Sequence, residues 1–145
     1  MLGQNFSTAW LQRHLVPRRQ WKPYPVYSDR RAWSALPRAV RLNLVRSARA
    51  SLAQPWPELP ATLFLEFARI GNRSHFESRW FERRRRLALL VLAECVEGRG
   101  AFLDPIANAL WSLCEESTWS FPAHLPSAGL PDTAVPHVDL FAAET

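Results

Sequence analysis

Residues Ser74–Gly98 read SHFESRWFERRRRLALLVLAECVEG, and this stretch decides the fold. Ser74 and Glu77 make an S-x-x-E box, in which a serine hydroxyl and a glutamate satisfy orphan helix N–H groups reciprocally. Gly98 stands where a left-handed residue ends a helix. Between these signals Phe76, Trp80, Phe81, Leu87, Leu90, Val91 and Cys95 recur at helical spacing. The second half, LALLVLA, is apolar nearly all round, so neighbours must cover it on most sides. It is too short to span a bilayer. The neighbours it needs are other helices.

Upstream, Ala61–Gly71 carries Leu63, Phe64 and Phe67 on one face, with Pro60 in the first turn and Gly71 as the stop. IGNR (Ile70–Arg73) is a turn, with Asn72 placed to cap the next helix. QPWPELP is a tight connection. Before it, Asp29 caps an amphipathic helix running to about residue 53, stepped by Trp33, Leu36, Val40, Leu44, Ala48 and Leu52. Pro37 marks either a kink in that helix or its real first turn. Arg38, Arg41, Arg46 and Arg49 fall on its solvated side. Ser7 can cap a short helix stopping at Pro17, and PRRQWKPYPVY after it reads as an extended surface segment.

Downstream, Asp104 with Pro105 opens a helix to about Ser117, with Ile106, Leu110, Leu113 and Cys114 inward. Residues 118–136 are a Pro-rich loop. Asp139 then starts a helix in which Leu140, Ala142 and Ala143 continue, with no C-cap after them. Short isolated helices are marginal, so the chain is read as a piece of a larger protein. No alternating strand and no Asn-Gly hairpin occurs, and no short repeat supports a solenoid. The fold class is all-α, built from antiparallel helical hairpins. Residues 1–28 form a short helix and an extended Pro/aromatic segment, and residues 29–145 form the helical body.

Composition narrows the partners. The chain has 145 residues, seven Trp and a net charge of +5, carried almost wholly by Arg, with a pI near 10.2. That permits an acidic partner, nucleic acid or anionic polysaccharide, without choosing between them. For nucleic acid a basic stripe with exposed aromatics or a reading helix is needed, and Arg83–Arg86 instead adjoins the most apolar segment, so none is expected. A membrane partner is not expected either. No charged-then-apolar leader opens the sequence, so the cytoplasm is the default location. Cys95 and Cys114 both fall inside helices and read as buried thiols. His14, His75, His124 and His137 show no metal-ligand spacing, and no Gly-rich phosphate loop or G-x-S-x-G elbow exists; no metal or cofactor is expected.

Two stretches can carry chemistry. In CEESTWSFPAH, Glu115 and Glu116 lie at a helix C-terminus, where the macrodipole disfavours them and calls for a partner. Trp119 and Phe121 place aromatic surface in the loop, and His124 adds an imidazole, a mix that can line a sugar cleft. The alternative is that the glutamates pair with Arg83–Arg86 and the aromatics pack. The second stretch is Arg83, Arg84, Arg85 and Arg86. Four consecutive residues cover most of a helix circumference, so they divide between solvent and internal carboxylates such as Glu66, Glu82 or Glu94, in bidentate pairs.

With these blocks in view, residue 29 to the end resembles the N-terminal helical part of heparinase II/III-like proteins, relatives of the alginate and heparin lyases. FERRRRLALLVLAECVEG, CEESTW followed by PAH, and DLFAAET carry the resemblance, in that order. It implies an incomplete (α/α) toroid around a deep cleft, and β-elimination of uronic-acid polysaccharides. In that chemistry the C5 carboxylate is neutralised, a base takes the C5 proton and an acid protonates the leaving oxygen. Glu115, Glu116, Trp119 and His124 match the family's cleft-side block and would form substrate wall, with His124 the one catalytic candidate. The family pattern has Asn after that histidine; this chain has Leu125. Tyr, Asn and Arg groups of the reaction are expected beyond Thr145, so the chain alone is expected to be catalytically incomplete. An acidic, uronic-acid-containing polysaccharide is the implied partner, and exposed helix faces imply self-association. The alternative is a non-catalytic helical scaffold that binds a glycan or a protein.

Overall fold

The computed structural model describes residues 6–126 and 129–145. Among these the elements are α1 (Thr8–His14), α2 (Arg30–Ala35), α3 (Arg38–Leu52), α4 (Ala61–Ile70), α5 (Ser74–Glu97), α6 (Leu103–Cys114), a 3-10 turn (Pro122–His124) and α7 (Leu140–Glu144), with no strand. The chain is all-α. The first five residues of the expected N-terminal segment, and residues 127 and 128 of the Pro-rich loop, lie outside the described residues.

α5 runs through two cores. Its C-terminal half sets Leu90 and Ala93 against Ala48 of α3 and Phe102 before α6, with Val45, Leu89 and Ile106 around them. Its N-terminal half sets Phe76 and Trp80 against Phe64 of α4 and Phe121 of the loop, with Leu125 and Phe141 at the edge. Burying such side chains is worth about 1.5–3 kcal/mol each, so one helix organises both clusters. Cover on most sides of LALLVLA is not what forms. Ala88, Val91 and Leu92 stay exposed, as does Phe81, and the apolar run is half covered.

Several boundaries differ from the sequence reading, each for a local reason. The helix expected over residues 29–53 is two: Asp29 caps α2 through Ala32 N–H at 3.0 Å, and Pro37 is the N-cap of α3. Val40 and Leu52 of α3 face solvent. The Ser74/Glu77 box does not form. Asn72 Oδ1 accepts from His75 N–H at 3.1 Å in its place, and Glu77 is drawn off by an ion pair with Arg73. α6 begins at Leu103 and ends at Cys114. It turns Ala109 and Leu113 inward, leaving Leu110 and Cys114 exposed. Cys114 is therefore not a buried thiol; Cys95 is half-buried, its thiol pushed up by burial, and the two are unbonded.

The end of α5 is over-determined. Gly98 takes the left-handed cap at φ 65°, and its N–H donates to Glu94 O at 2.7 Å. Arg30 of α2 donates to Cys95 O at 2.7 Å and Val96 O at 2.8 Å, placing a cation on the orphan carbonyls at the negative end of the dipole. Glycine is required at 98 by φ, and a Cβ there, 2.6 Å from the Arg30 guanidinium carbon, would also push the end of that side chain aside. Beside it Glu94, 2% exposed, accepts from Tyr27 O–H at 2.9 Å, Gly100 N–H at 2.8 Å and Phe102 N–H at 3.0 Å.

Burial by itself pushes the Glu94 carboxyl up, but the N–H groups of Phe102 and Gly100, the Tyr27 hydroxyl and Arg30 outweigh it and hold it below its ordinary value of 4.5. A depressed carboxylate stabilises the fold above its unfolded pKa, and that stabilisation is lost as pH falls through the folded value. Glu94→Gln, which turns one acceptor into a donor facing donors, is expected to cost about 2–3 kcal/mol in urea unfolding at neutral pH. The same variant should flatten the loss of stability that the wild type shows in acid below 4.5.

Candidate functional site

The arginine run of α5 divides by direction, as four consecutive helical residues must. Arg83, 9% exposed, points inward, donating through Nε to Pro57 O at 2.6 Å and through Nη1 to Glu116 Oε1 at 2.9 Å. Arg84 grips the same carboxylate with both Nη atoms, at 3.2 Å to Oε1 and 2.7 Å to Oε2, and lies 3.5 Å over the Trp80 ring. Burial lowers its pKa; Glu116 opposes that and Arg83 adds to it. Arg86 donates to Ser51 O, Gln54 O and Pro55 O, closing the C-terminal end of α3. Arg85 is exposed, donating to Phe81 O at 3.3 Å.

The expected internal carboxylates are thus not the partners. Glu66 meets His75, and Glu94 meets backbone N–H groups and Tyr27. Glu116 takes the bidentate pair that the spacing called for. Its neighbour Glu115 points elsewhere, accepting from Trp111 Nε1 at 2.6 Å on the exposed side of α6. Of the two acids at this helix end, one is a buried clasp and the other a surface group.

Beyond Glu116 the chain folds back on itself. Trp119 Nε1 donates to Leu113 O at 2.9 Å, joining the Glu116 N–H on that carbonyl at the end of α6. Phe121, expected on the surface, is fully buried and stacks on Phe141 at 4.1 Å between centroids. Ser120 Oγ donates to His137 O at 2.8 Å and so pins the return of the loop. Asp139 then does two things. Oδ1 caps α7 through Ala142 N–H at 2.8 Å, while Oδ2 accepts from Phe121 N–H at 3.1 Å and pairs with His124 Nδ1 at 2.7 Å. Burial pushes Asp139 up, but the two N–H groups and His124 prevail and hold it below its ordinary value. The Asp139 contact fixes the orientation of the His124 ring.

A cavity of about 530 Å³ opens along this turn, between Glu116–Trp119 on one side and Asp132 and His137 on the other. A smaller one of about 290 Å³ shares Glu116, Ser117 and Thr118 and reaches Phe64 and Phe76. Of the four residues expected to line a cleft, Glu116 and Trp119 do so. Glu115 and His124 are not among the cavity walls. His137 is an addition to the wall, legible in sequence only as an isolated histidine; Asp139, legible only as a cap, lies outside the wall as the partner of His124. Among the described residues no three of His, Cys, Asp and Glu converge as metal ligands. No family model and no curated protein matches the chain.

Truncating Glu116 would strand two guanidinium groups in a site where all three side chains are at most 15% exposed. Glu116→Ala is expected to lose about 3–5 kcal/mol of stability by denaturant titration. Glu115→Ala, one residue away, should stay within about 0.5 kcal/mol.

Proposed function

We propose that this chain supplies scaffold and one wall of the substrate cleft in a heparinase II/III-like polysaccharide lyase, acting on uronic-acid-containing glycans. One observation carries the reading: the three separated blocks behind the resemblance meet in space. FERRRRLALL joins CEESTW through Arg83, Arg84 and Glu116, and SFPAH joins DLFAAET through Phe121, His124, Asp139 and Phe141. A cavity able to take sugar rings lies along the joint, with Trp119 as an apolar face and Ser117, Thr118 and His137 as polar groups. On this reading the helices pair as hairpins in part of an α/α toroid.

The role assigned to each group follows its surroundings. Glu116 holds the wall in shape and is unavailable as acid or base, because two arginines already neutralise it. His124, paired with Asp139, is the one base candidate the resemblance offers, but it does not line this cavity, so the resemblance puts no base for the C5 proton at the cavity wall. The acid for the leaving oxygen is not at hand: the two tyrosines are Tyr24 and Tyr27, and Tyr27 donates to Glu94. A non-catalytic glycan-binding scaffold is the second reading, and it draws support from the same fact. Glu116, Trp119 and His124 each have an intramolecular partner already.

The experiment is calorimetric binding of oligouronates to the chain and to Trp119→Ala, with absorbance of unsaturated uronate followed in parallel. Binding without turnover is expected, preferring uronate over neutral oligosaccharides and weakened about tenfold or more by Trp119→Ala. Equal affinity for neutral sugars, or no effect of Trp119→Ala, would remove the cleft. Turnover by this chain alone would overturn the scaffold role.

A further inference from the structure

The charge of the chain is concentrated at one end. Residues 1–28 hold Arg13, Arg18, Arg19 and Lys22 and no acid; residues 29–145 hold the other 14 basic residues against all 13 acids. So four of the five net charges belong to the first 28 residues. None of those four side chains forms an ion pair among the described residues; of the 14 arginines in the body, Arg49, Arg73, Arg83 and Arg84 do.

The same segment exposes apolar surface of a particular kind. Leu15, Val16, Trp21, Tyr24 and Val26 are each more than half exposed, and Trp10 is 40% exposed. Local geometry mixes the two kinds of group. Trp21 N–H and Gln20 N–H both donate to Pro17 O, at 3.0 and 2.8 Å, so Arg18 and Arg19 sit in a tight turn between Val16 and Trp21. The segment is rooted in the body only at its end, by Trp33 Nε1 on Val26 O and Tyr27 O–H on Glu94. Neither core cluster includes any residue before Ala48 except the flanking Val45.

We propose that residues 10–27 are a peripheral contact for an anionic lipid surface. The cations pair with headgroups, Trp10, Trp21 and Tyr24 sit at headgroup depth with an apolar body and a polar tip, and Leu15, Val16 and Val26 enter the acyl boundary. A soluble polyanion satisfies the four cations equally well but gives the aliphatic side chains nothing, and this decides for a bilayer. Such a contact needs no spanning helix. That no helix among the described residues is long and apolar enough to cross a membrane concerns a different mode of binding.

The test is co-sedimentation of the chain with vesicles of phosphatidylcholine alone or mixed with phosphatidylglycerol, with tryptophan emission as a second readout. Binding at least tenfold stronger to the anionic vesicles is expected, falling as salt is raised. Combining Arg18→Ala, Arg19→Ala and Lys22→Ala should weaken it on the order of a hundredfold. Combining Leu15→Ser and Val16→Ser should weaken it about tenfold while leaving binding to heparin fragments or an oligonucleotide unchanged. These side chains lie outside the cores, and the wild-type dependence on lipid charge and salt needs no variant. No preference for anionic vesicles overturns the proposal. So does vesicle binding that ignores the Leu15/Val16 change, which would make a soluble polyanion the partner. Trp119→Ala should leave vesicle binding intact, which separates this contact from the glycan cleft; loss of vesicle binding in that variant would also overturn it.

Discussion

Two charges buried on the inner side of α5 constrain almost everything else. Arg83 and Glu94 lie eleven residues apart, close to three full turns, so they share a face with Phe76, Trp80 and Leu90. A buried charge left unpaired is costly enough to unfold a domain of this size. Each therefore dictates the path of the chain around it. Arg83 fixes the Pro57 carbonyl and, through Glu116, the end of α6. Glu94 fixes the Gly98–Phe102 turn and, through Tyr27, the root of the N-terminal segment. The apolar residues between them supply the driving force, and the two ions supply the register.

This arrangement accounts for where the cavity is. Arg83 and Arg84 hold Glu116 down onto α5, so the chain leaving α6 must turn sharply, and Trp119 folds back onto Leu113 O to close that turn. The loop then descends through Phe121 into the aromatic cluster and comes back through Asp139, which ties Phe121 N–H, His124 and the start of α7 to one carboxylate. The space left between the sharp turn and the returning Pro-rich segment is the cavity. Trp80 has a buried Nε1 with no acceptor among the described residues, and its ring face supports Arg84 instead.

The helical class, the stops at Gly71 and Gly98, and the caps at Ser7, Asp29 and Asp139 were all legible, because each rests on a local rule about φ or an orphan N–H. What escaped was tertiary. Arg83 continues the 3–4 spacing of Phe76 and Trp80, and Glu94 continues that of Leu90, but a hydrophobic count skips charged residues and so misjudges the stripe. Leu110 and Cys114 fit a helical period as well as Ala109 and Leu113 do; only the neighbour decides which side is covered. Ser74 lost the capping role to Asn72 because both are good caps two residues apart, and the Arg73–Glu77 pair drew away the other half of the box. At the site, pairing of Glu116 with the arginine run was readable as an alternative, while the double use of Asp139 was not. Its partners are 15 and 18 residues away across a Pro-rich loop.

The distribution of charge follows from the same constraint. In the body, Arg83 and Arg84 are drawn onto Glu116, Arg49 onto Glu97, and Arg86 and Arg30 onto the carbonyls that close α3 and α5, while others such as Arg38, Arg46 and Arg79 stay exposed. Each of these contacts neutralises a carboxylate or meets the negative end of a helix dipole, and the body's 14 basic residues stand against 13 acids. The N-terminal segment has no acid with which to do this, and the first carboxylate after it, Asp29, is taken by the cap of α2. A pI near 10.2 therefore describes two different surfaces. One is nearly balanced, with a cavity whose wall is held by internal ion pairs; the other is a short basic and aromatic arm.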